Sequence, residues 1–241
     1  MLSRLPQLDE RLELVRSMVR SGVCAADIGT DHAYLPLHLV VSEQASRVYA
    51  SDINEGPLAS ARETVARFKM QPYIETVLSD GLDKVPVDEV DDIIIAGMGG
   101  ELIASIIDRE PKLKDGAKRL ILQPMTMADK LRRYLYEHGF SIIDENAVRE
   151  GGHVYTAMCA RYTGEEHQID EITALVGLLP RRSSAAAAEY IHGQANKLRK
   201  KGQGLSLTLS GEEEGKRLLA LSDEIDALTG EDEAFSKWRI R

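Results

Sequence analysis

The residues able to do chemistry cluster where short apolar runs give way to acidic or glycine-bearing turns. The stretch Val23–Pro36 reads VCAADIGTDHAYLP. Its spacing predicts a strand over Val23–Ala26, a turn over Asp27–Asp31, and a helix carrying Leu35 and Leu39. Strand, turn and helix in that order form the opening unit of a nucleotide-binding α/β sheet. A dinucleotide fingerprint would place glycine at the first, third and sixth turn positions. Here Asp27 holds the first position, Gly29 the third and His32 the sixth. Asp27 and Asp31 stand where a pyrophosphate would put its charges, and like charges about 4 Å apart repel by roughly 4 kcal/mol at an effective dielectric of 20. The turn therefore disfavours an anionic ligand and favours a cationic one. The plainer alternative is that Asp27 caps the following helix.

S-adenosylmethionine (SAM), with its sulfonium and ammonium, meets the charge requirement. Two further acids strengthen the expectation. Asp52 ends a predicted strand (Arg47–Ala50) about twenty residues on, where an acid can hold both ribose hydroxyls. Asp80 follows the strand Ile74–Leu78, placed to accept from an adenine amino group, and Gly81 lets the backbone approach the ring. A fourth strand, Asp92–Ala96, runs into Gly97-Met98-Gly99-Gly100, which implies close approach of backbone to ligand or a tight turn into the next helix.

The elements that must carry these residues follow the same grammar. Leu5, Leu8, Leu12, Val15 and Val19 recur at helical spacing up to Gly22. Asn54–Pro57 starts a helix with Leu58, Ala61, Val65 and Phe68 on its buried face. A helix over Glu101–Asp108, a strand over Lys118–Gln123 stopped by Pro124, and a helix over Met127–His138 capped by Gly139 come next. Phe140–Glu145 and Val154–Arg161 complete seven strands around Gly151-Gly152. Beyond Thr163 the composition changes. A helical stretch ends at Leu175–Pro180, and Ser183 or Ser184 caps an alanine-rich helix bearing Ala188, Ile191, Ala195 and Leu198. Gly202-Gln203-Gly204 breaks the pattern before Leu218, Leu221, Ile225 and Leu228 repeat it, which predicts an antiparallel helical hairpin.

With 241 residues and 26.7 kDa, the chain suits one α/β domain and an appendage, 1–163 and 164–241. A net charge of −9 argues against a protein coated in lysine for nucleic-acid binding, yet residues 181–201 hold six bases against Glu189 alone. Two cysteines without ligand spacing predict no metal site and a reducing compartment. No apolar run reaches membrane-span length, and charges at Arg4, Asp9, Glu10 and Arg11 are unlike a signal peptide. The expectation is a cytoplasmic protein, monomeric and without a membrane partner.

ADIGTDHAYLP at 26–36, IIIAGMGG at 93–100 and LILQP at 120–124, followed by a helical hairpin, resemble the bacterial TrmK family, SAM-dependent methyltransferases that modify N1 of adenine 22 in tRNA. The resemblance runs from about Leu2 to Arg161 and more loosely through the hairpin. It implies a class I SAM-dependent methyltransferase, a Rossmann-like seven-stranded sheet with a C-terminal coiled-coil-like domain, SAM as cofactor and tRNA as partner. The cofactor site would comprise Asp27, Gly29, Thr30, Asp31, His32, Asp52, Ile53, Asp80, Gly81, Ala96, Gly97, Met98 and Gly99. The sequence departs at Met125, where the family often carries asparagine, so no polar role is assigned there. Contacts to RNA would come from Arg4, Arg11, Arg181, Arg182, Lys197, Arg199, Lys200 and Lys201, against plain solvation of those faces.

Methyltransferases acting on an exocyclic adenine amine usually carry an Asn/Asp-Pro-Pro-aromatic motif after the fourth strand. Ala96-Gly97-Met98-Gly99 holds neither proline nor aromatic, so a ring nitrogen is the better target. N1 has an in-plane lone pair and needs no general base to start, which leaves alignment, at roughly 7–11 kcal/mol, as the main contribution. Asp31 and His32 are the catalytic candidates, Asp31 by offsetting the charge of the methylated base. Tyr34 or Met98 could wall the extruded ring. The rival readings are methylation of a small molecule or protein, and a non-catalytic SAM-binding adaptor.

Overall fold

The computed structural model describes residues 5–207 and 210–229. Seven strands form one sheet: β1 (Val23–Ile28), β2 (Ala45–Asp52), β3 (Ile74–Leu78), β4 (Asp92–Gly99), β5 (Arg119–Thr126), β6 (Phe140–Glu150) and β7 (His153–Tyr162). Their order is β3-β2-β1-β4-β5-β7-β6; β1 to β5 run parallel, and β7 is antiparallel to both its neighbours. The helices are α1 (Glu10–Met18), α2 (Tyr34–Val41), α3 (Glu55–Arg67), α4 (Gly100–Asp108), α5 (Ala128–Glu137), α6 (Glu171–Val176), α7 (Ala185–Leu205) and α8 (Glu212–Ala227).

A parallel strand covered on both faces must be apolar throughout, and β4 shows how the two layers divide. Ile93 and Ile95 enter the core beneath α4 and α5, with Ile103, Leu131 and Leu135. Ile94 enters the opposite core with Val15 of α1, Leu37 of α2 and Ala61 of α3. A third cluster joins Ala147 of β6 to Val176, Leu179, Ala187, Ile191 and Ile225, and so seats the helical region on the antiparallel edge of the sheet.

Several boundaries differ from expectation for identifiable reasons. The first helix begins at Glu10, because the Asp9 carboxylate accepts from Leu12 N at 2.7 Å and caps it. Pro124 does not stop β5, which continues to Thr126. Its register with β7 covers only Leu120–Leu122, so the donor that Pro124 lacks is not needed by β7 there. The helical stretch expected to end at Pro180 is α6 followed by a 3-10 turn at Leu179–Arg181. Of the two serines, Ser184 is the cap, accepting from Ala187 N. Gly202-Gln203-Gly204 does not break the helix: α7 runs through it to Leu205. Gly202 is buried against α8, and a Cβ there would lie 2.9 Å from Gly215 O. At Gly202 this helix–helix approach outweighs the ~1 kcal/mol that a glycine costs in helix propensity, whereas Gly204 meets no neighbour.

One buried network fastens the helical region to the sheet. Arg132 of α5 and Glu145 of β6 are both fully buried and paired at 2.6 Å. Arg132 Nη1 also donates to Ala174 O at 2.7 Å and Leu175 O at 3.1 Å, and Glu145 Oε2 accepts from Leu178 N at 2.8 Å. Gly177 at φ +54° leaves room for the pair; a Cβ there would lie 2.5 Å from Arg132 Nε.

Candidate active site

The strand order reverses between β1 and β4, and ligands of open α/β sheets bind at the carboxyl ends of the strands beside such a point. β1 ends at Ile28, and Gly29 turns the chain at φ +83°, a region only glycine enters freely. The amides of Gly29 and Thr30 both donate to Ser51 O at 2.8 Å. These are the donors that would meet a phosphate in a dinucleotide site, and here the fold has already used them. What the turn offers instead is a carboxylate. Asp27 is only 7% exposed. Burial pushes its carboxyl up to about 6, against a hydrogen bond from Thr30, and Asp52 adds repulsion. A cation is the ligand that such a group favours. The donor set thus fits SAM, which when bound supplies an electrophilic methyl group on a cationic sulfur.

The other expected residues are distributed unevenly. Asp52 ends β2 and uses Oδ1 to accept from Asn54 N at 2.7 Å; Ile53 beside it is 59% exposed. Asp31 and His32 are exposed and face each other at 3.3 Å, and the His32 ring stacks on Tyr34 with centroids 5.2 Å apart. Asp80 already has a partner: Arg109, at the C-terminus of α4, grips it through two contacts of 3.0 and 3.2 Å. Those bonds hold the Asp80 carboxyl below its usual value. Sequence reasoning missed Arg109, which lies 29 residues along the chain.

The glycine-rich tip of β4 divides its work. Gly97 at φ +80° makes the turn. Gly100 is bare for another reason: a Cβ there would collide with the backbone of Met127 and lie 3.1 Å from Thr126 O. That close approach is to the β5–α5 loop and not to a ligand. Met98 leans over Gly29, its methyl filling the space a Cβ would need.

Arg11, expected to meet RNA phosphate, instead reaches into this tip. Its Nη1 donates to Gln123 Oε1 at 2.9 Å, and the same oxygen accepts from Gly97 N at 3.0 Å. Gln123 is fully buried and also donates to Pro124 O at 3.1 Å. This glutamine, which the sequence places at the end of a strand and within the LILQP motif, fixes the Gly97 peptide and ties α1 to it. The sequence signals were a polar residue closing an apolar strand beside Pro124 and its place in that motif. Among the remaining cationic candidates, Arg182 pairs with Asp144 and donates to Glu145 O at 2.8 Å. Arg199 pairs with Asp223 and Asp226. Arg181, Lys197, Lys200 and Lys201 are exposed. Arg4 lies outside the described residues. Among the described residues no group of three His, Cys, Asp or Glu is placed to hold a metal ion, and no helix is long and apolar enough to cross a membrane.

A seven-stranded sheet with β7 reversed, a cation-seeking carboxylate at the tip of β1 and acids at the tips of β2 and β3 define a class I SAM-dependent methyltransferase. Residues 8–158 match a methyltransferase-domain family model. The tRNA (adenine(22)-N(1))-methyltransferase of Bacillus subtilis is 37% identical over 173 residues, 72% of this chain and 73% of that one. The chain belongs to that family. The crystal structure of the B. subtilis M1A22 tRNA methyltransferase TrmK superposes with a TM-score of 0.81 at 30% identity, covering 94% of this chain and all of that one. Streptococcus pneumoniae Sp1610 in complex with S-adenosyl-L-methionine superposes with a TM-score of 0.77 at 32% identity, covering 91% of this chain and all of that one.

Proposed function

We propose that the chain transfers the methyl group of SAM to N1 of an adenine in tRNA, at position 22 in the D-arm region. The observation that carries this reading is the pairing of two features at one end of the sheet. The buried Asp27 seeks a cation, and the β4 tip lacks the polar and aromatic groups that grip an exocyclic amine. The relatives' substrate supports it. The cofactor is held by Asp27, Gly29, Thr30, Asp31, His32, Asp52, Ile53, Asp80 and Gly81 on one side and by Ala96–Gly99 on the other. Gln123 and Arg11 fix the Gly97 peptide, so the surface that aligns the base is rigid before the substrate arrives. Asp31 offsets the charge that the base gains, and His32 orients Asp31. N1 lies on the pairing edge, so the base leaves its stack to react. Residues 1–163 form the catalytic domain and 164–241 an RNA-contacting one, in a cytoplasmic monomer. Arg181, Lys197, Lys200 and Lys201 are the side chains best placed to meet phosphates.

Incubation with labelled SAM and unmodified tRNA, followed by nuclease digestion and mapping, tests the reading. Label on N1 of adenine 22 is expected. Label only on protein or metabolites would favour the rival substrates, and SAM binding without turnover on any of them would favour the adaptor.

A further inference from the structure

A cavity of about 410 Å³ opens between the β5–α5 loop, the start of β7 and α7. A second of about 420 Å³ shares His153, Val154, Tyr190, Gln194 and Lys197 with it, so the two form one trough. Each is within the size of a small-ligand cleft, ~300–1,000 Å³. The trough begins at the methyl-transfer end of the sheet, because its rim residues Pro124 and Thr126 lie in register with Met98 and Gly99.

We propose that this trough seats an unpaired nucleotide of the RNA, a chain neighbour of the target adenine; the inference rests on the tRNA reading above. Extruding the target unstacks the bases beside it, and a single-stranded base is held by aromatic stacking with a cation on its phosphate. The trough has that chemistry. His153 and Tyr155, two apart on β7, present rings on one face with centroids 6.3 Å apart. Tyr190 faces them from α7, its ring backed by the Arg132 guanidinium at 5.8 Å. Tyr190, Gln194 and Lys197 fall at i, i+4 and i+7, one stripe of the helix. Lys197 is exposed and has no ion-pair partner among the described residues, which leaves its ammonium for phosphate. The Gln194 amide can meet a base edge. Lys200 is exposed one turn further along α7; of the two carboxylates lining the trough, Glu189 is paired with Arg149 at 3.0 Å, and Asp129 lies at the start of α5.

The test compares His153→Ala and Lys197→Glu with Lys216→Glu, an exposed charge reversal on α8. Each is assayed for tRNA methylation and for SAM affinity by calorimetry. His153→Ala and Lys197→Glu should each raise the tRNA KM about fivefold or more, with kcat and the SAM Kd unchanged. Lys197→Glu should also lower the salt slope of tRNA binding by about one phosphate. A photo-crosslinking amino acid at Tyr155 should attach to an unpaired nucleotide within a few positions of the methylated adenine. If wild type methylates tRNA but both variants stay within twofold of Lys216→Glu, or lose kcat at unchanged KM, the trough is not a nucleotide site. A crosslink only to distant nucleotides refutes it equally. If wild type leaves tRNA unmethylated, the tRNA reading falls and this inference with it.

Discussion

The Arg132–Glu145 network should behave as an all-or-nothing anchor for the helical region. Arg132→Met deletes the cation and strands the Glu145 carboxylate where neither partner is exposed. Breaking a buried pair from one side costs about 3–5 kcal/mol, a large share of an ordinary domain's 5–15 kcal/mol. Glu145→Leu should cost a similar amount for the mirror reason. Removing both replaces the pair with apolar groups, which by itself is often neutral. The double variant still leaves Leu178 N, Ala174 O and Leu175 O without the partners they have now. Each such buried group costs about 1–3 kcal/mol if nothing replaces the bond. The double variant should therefore be less stable than wild type, yet about 2–3 kcal/mol better than the sum of the singles. Urea unfolding followed by far-ultraviolet circular dichroism reads all four proteins. Because the network holds α6 and the turn at 178–182, the singles should also raise the tRNA KM while leaving the SAM Kd near its wild-type value. Losses that add within about 0.5 kcal/mol would refute a coupled buried pair.

Three further outcomes follow from the geometry. Asp27 titrates near 6 in the ligand-free protein and must be charged to favour a cation, so SAM affinity should hold from pH 8 to 7 and fall as pH drops through 6, by up to about tenfold per unit. Calorimetry in two buffers should show proton release on binding near pH 6, and a flat Kd from pH 5 to 8 would contradict it. Gly215→Ala should destabilise the hairpin by about 1–3 kcal/mol despite the ~1 kcal/mol gain in helix propensity, because a Cβ would lie 2.8 Å from Gly202 O and Ser206 N; thermal melts decide the sign. Asp31→Ala should lower kcat at saturating SAM and tRNA about fivefold, the ~1 kcal/mol that an exposed charge at contact distance supplies; an unchanged kcat removes Asp31 from the chemistry.

The seven strands, their alternation with helices and the acids at three strand tips could be read along the chain. Each is set by near neighbours: residue period, a turn glycine, a cap. The same locality explains the choice of a cationic over an anionic ligand at Asp27–His32, and the hairpin stripes around Ile191 and Ile225. Tertiary structure alone decided how the charges are partnered. Asp80 looked free until Arg109 arrived from the end of α4, and Arg11 looked like a surface base until folding carried it to Gln123, 112 residues away. Gly202 looked like a helix breaker because its compensating contact, Gly215 O, lies on another helix. Spacing specifies local conformation, whereas the partner of a charge or a bare glycine is chosen by whichever distant segment packs against it.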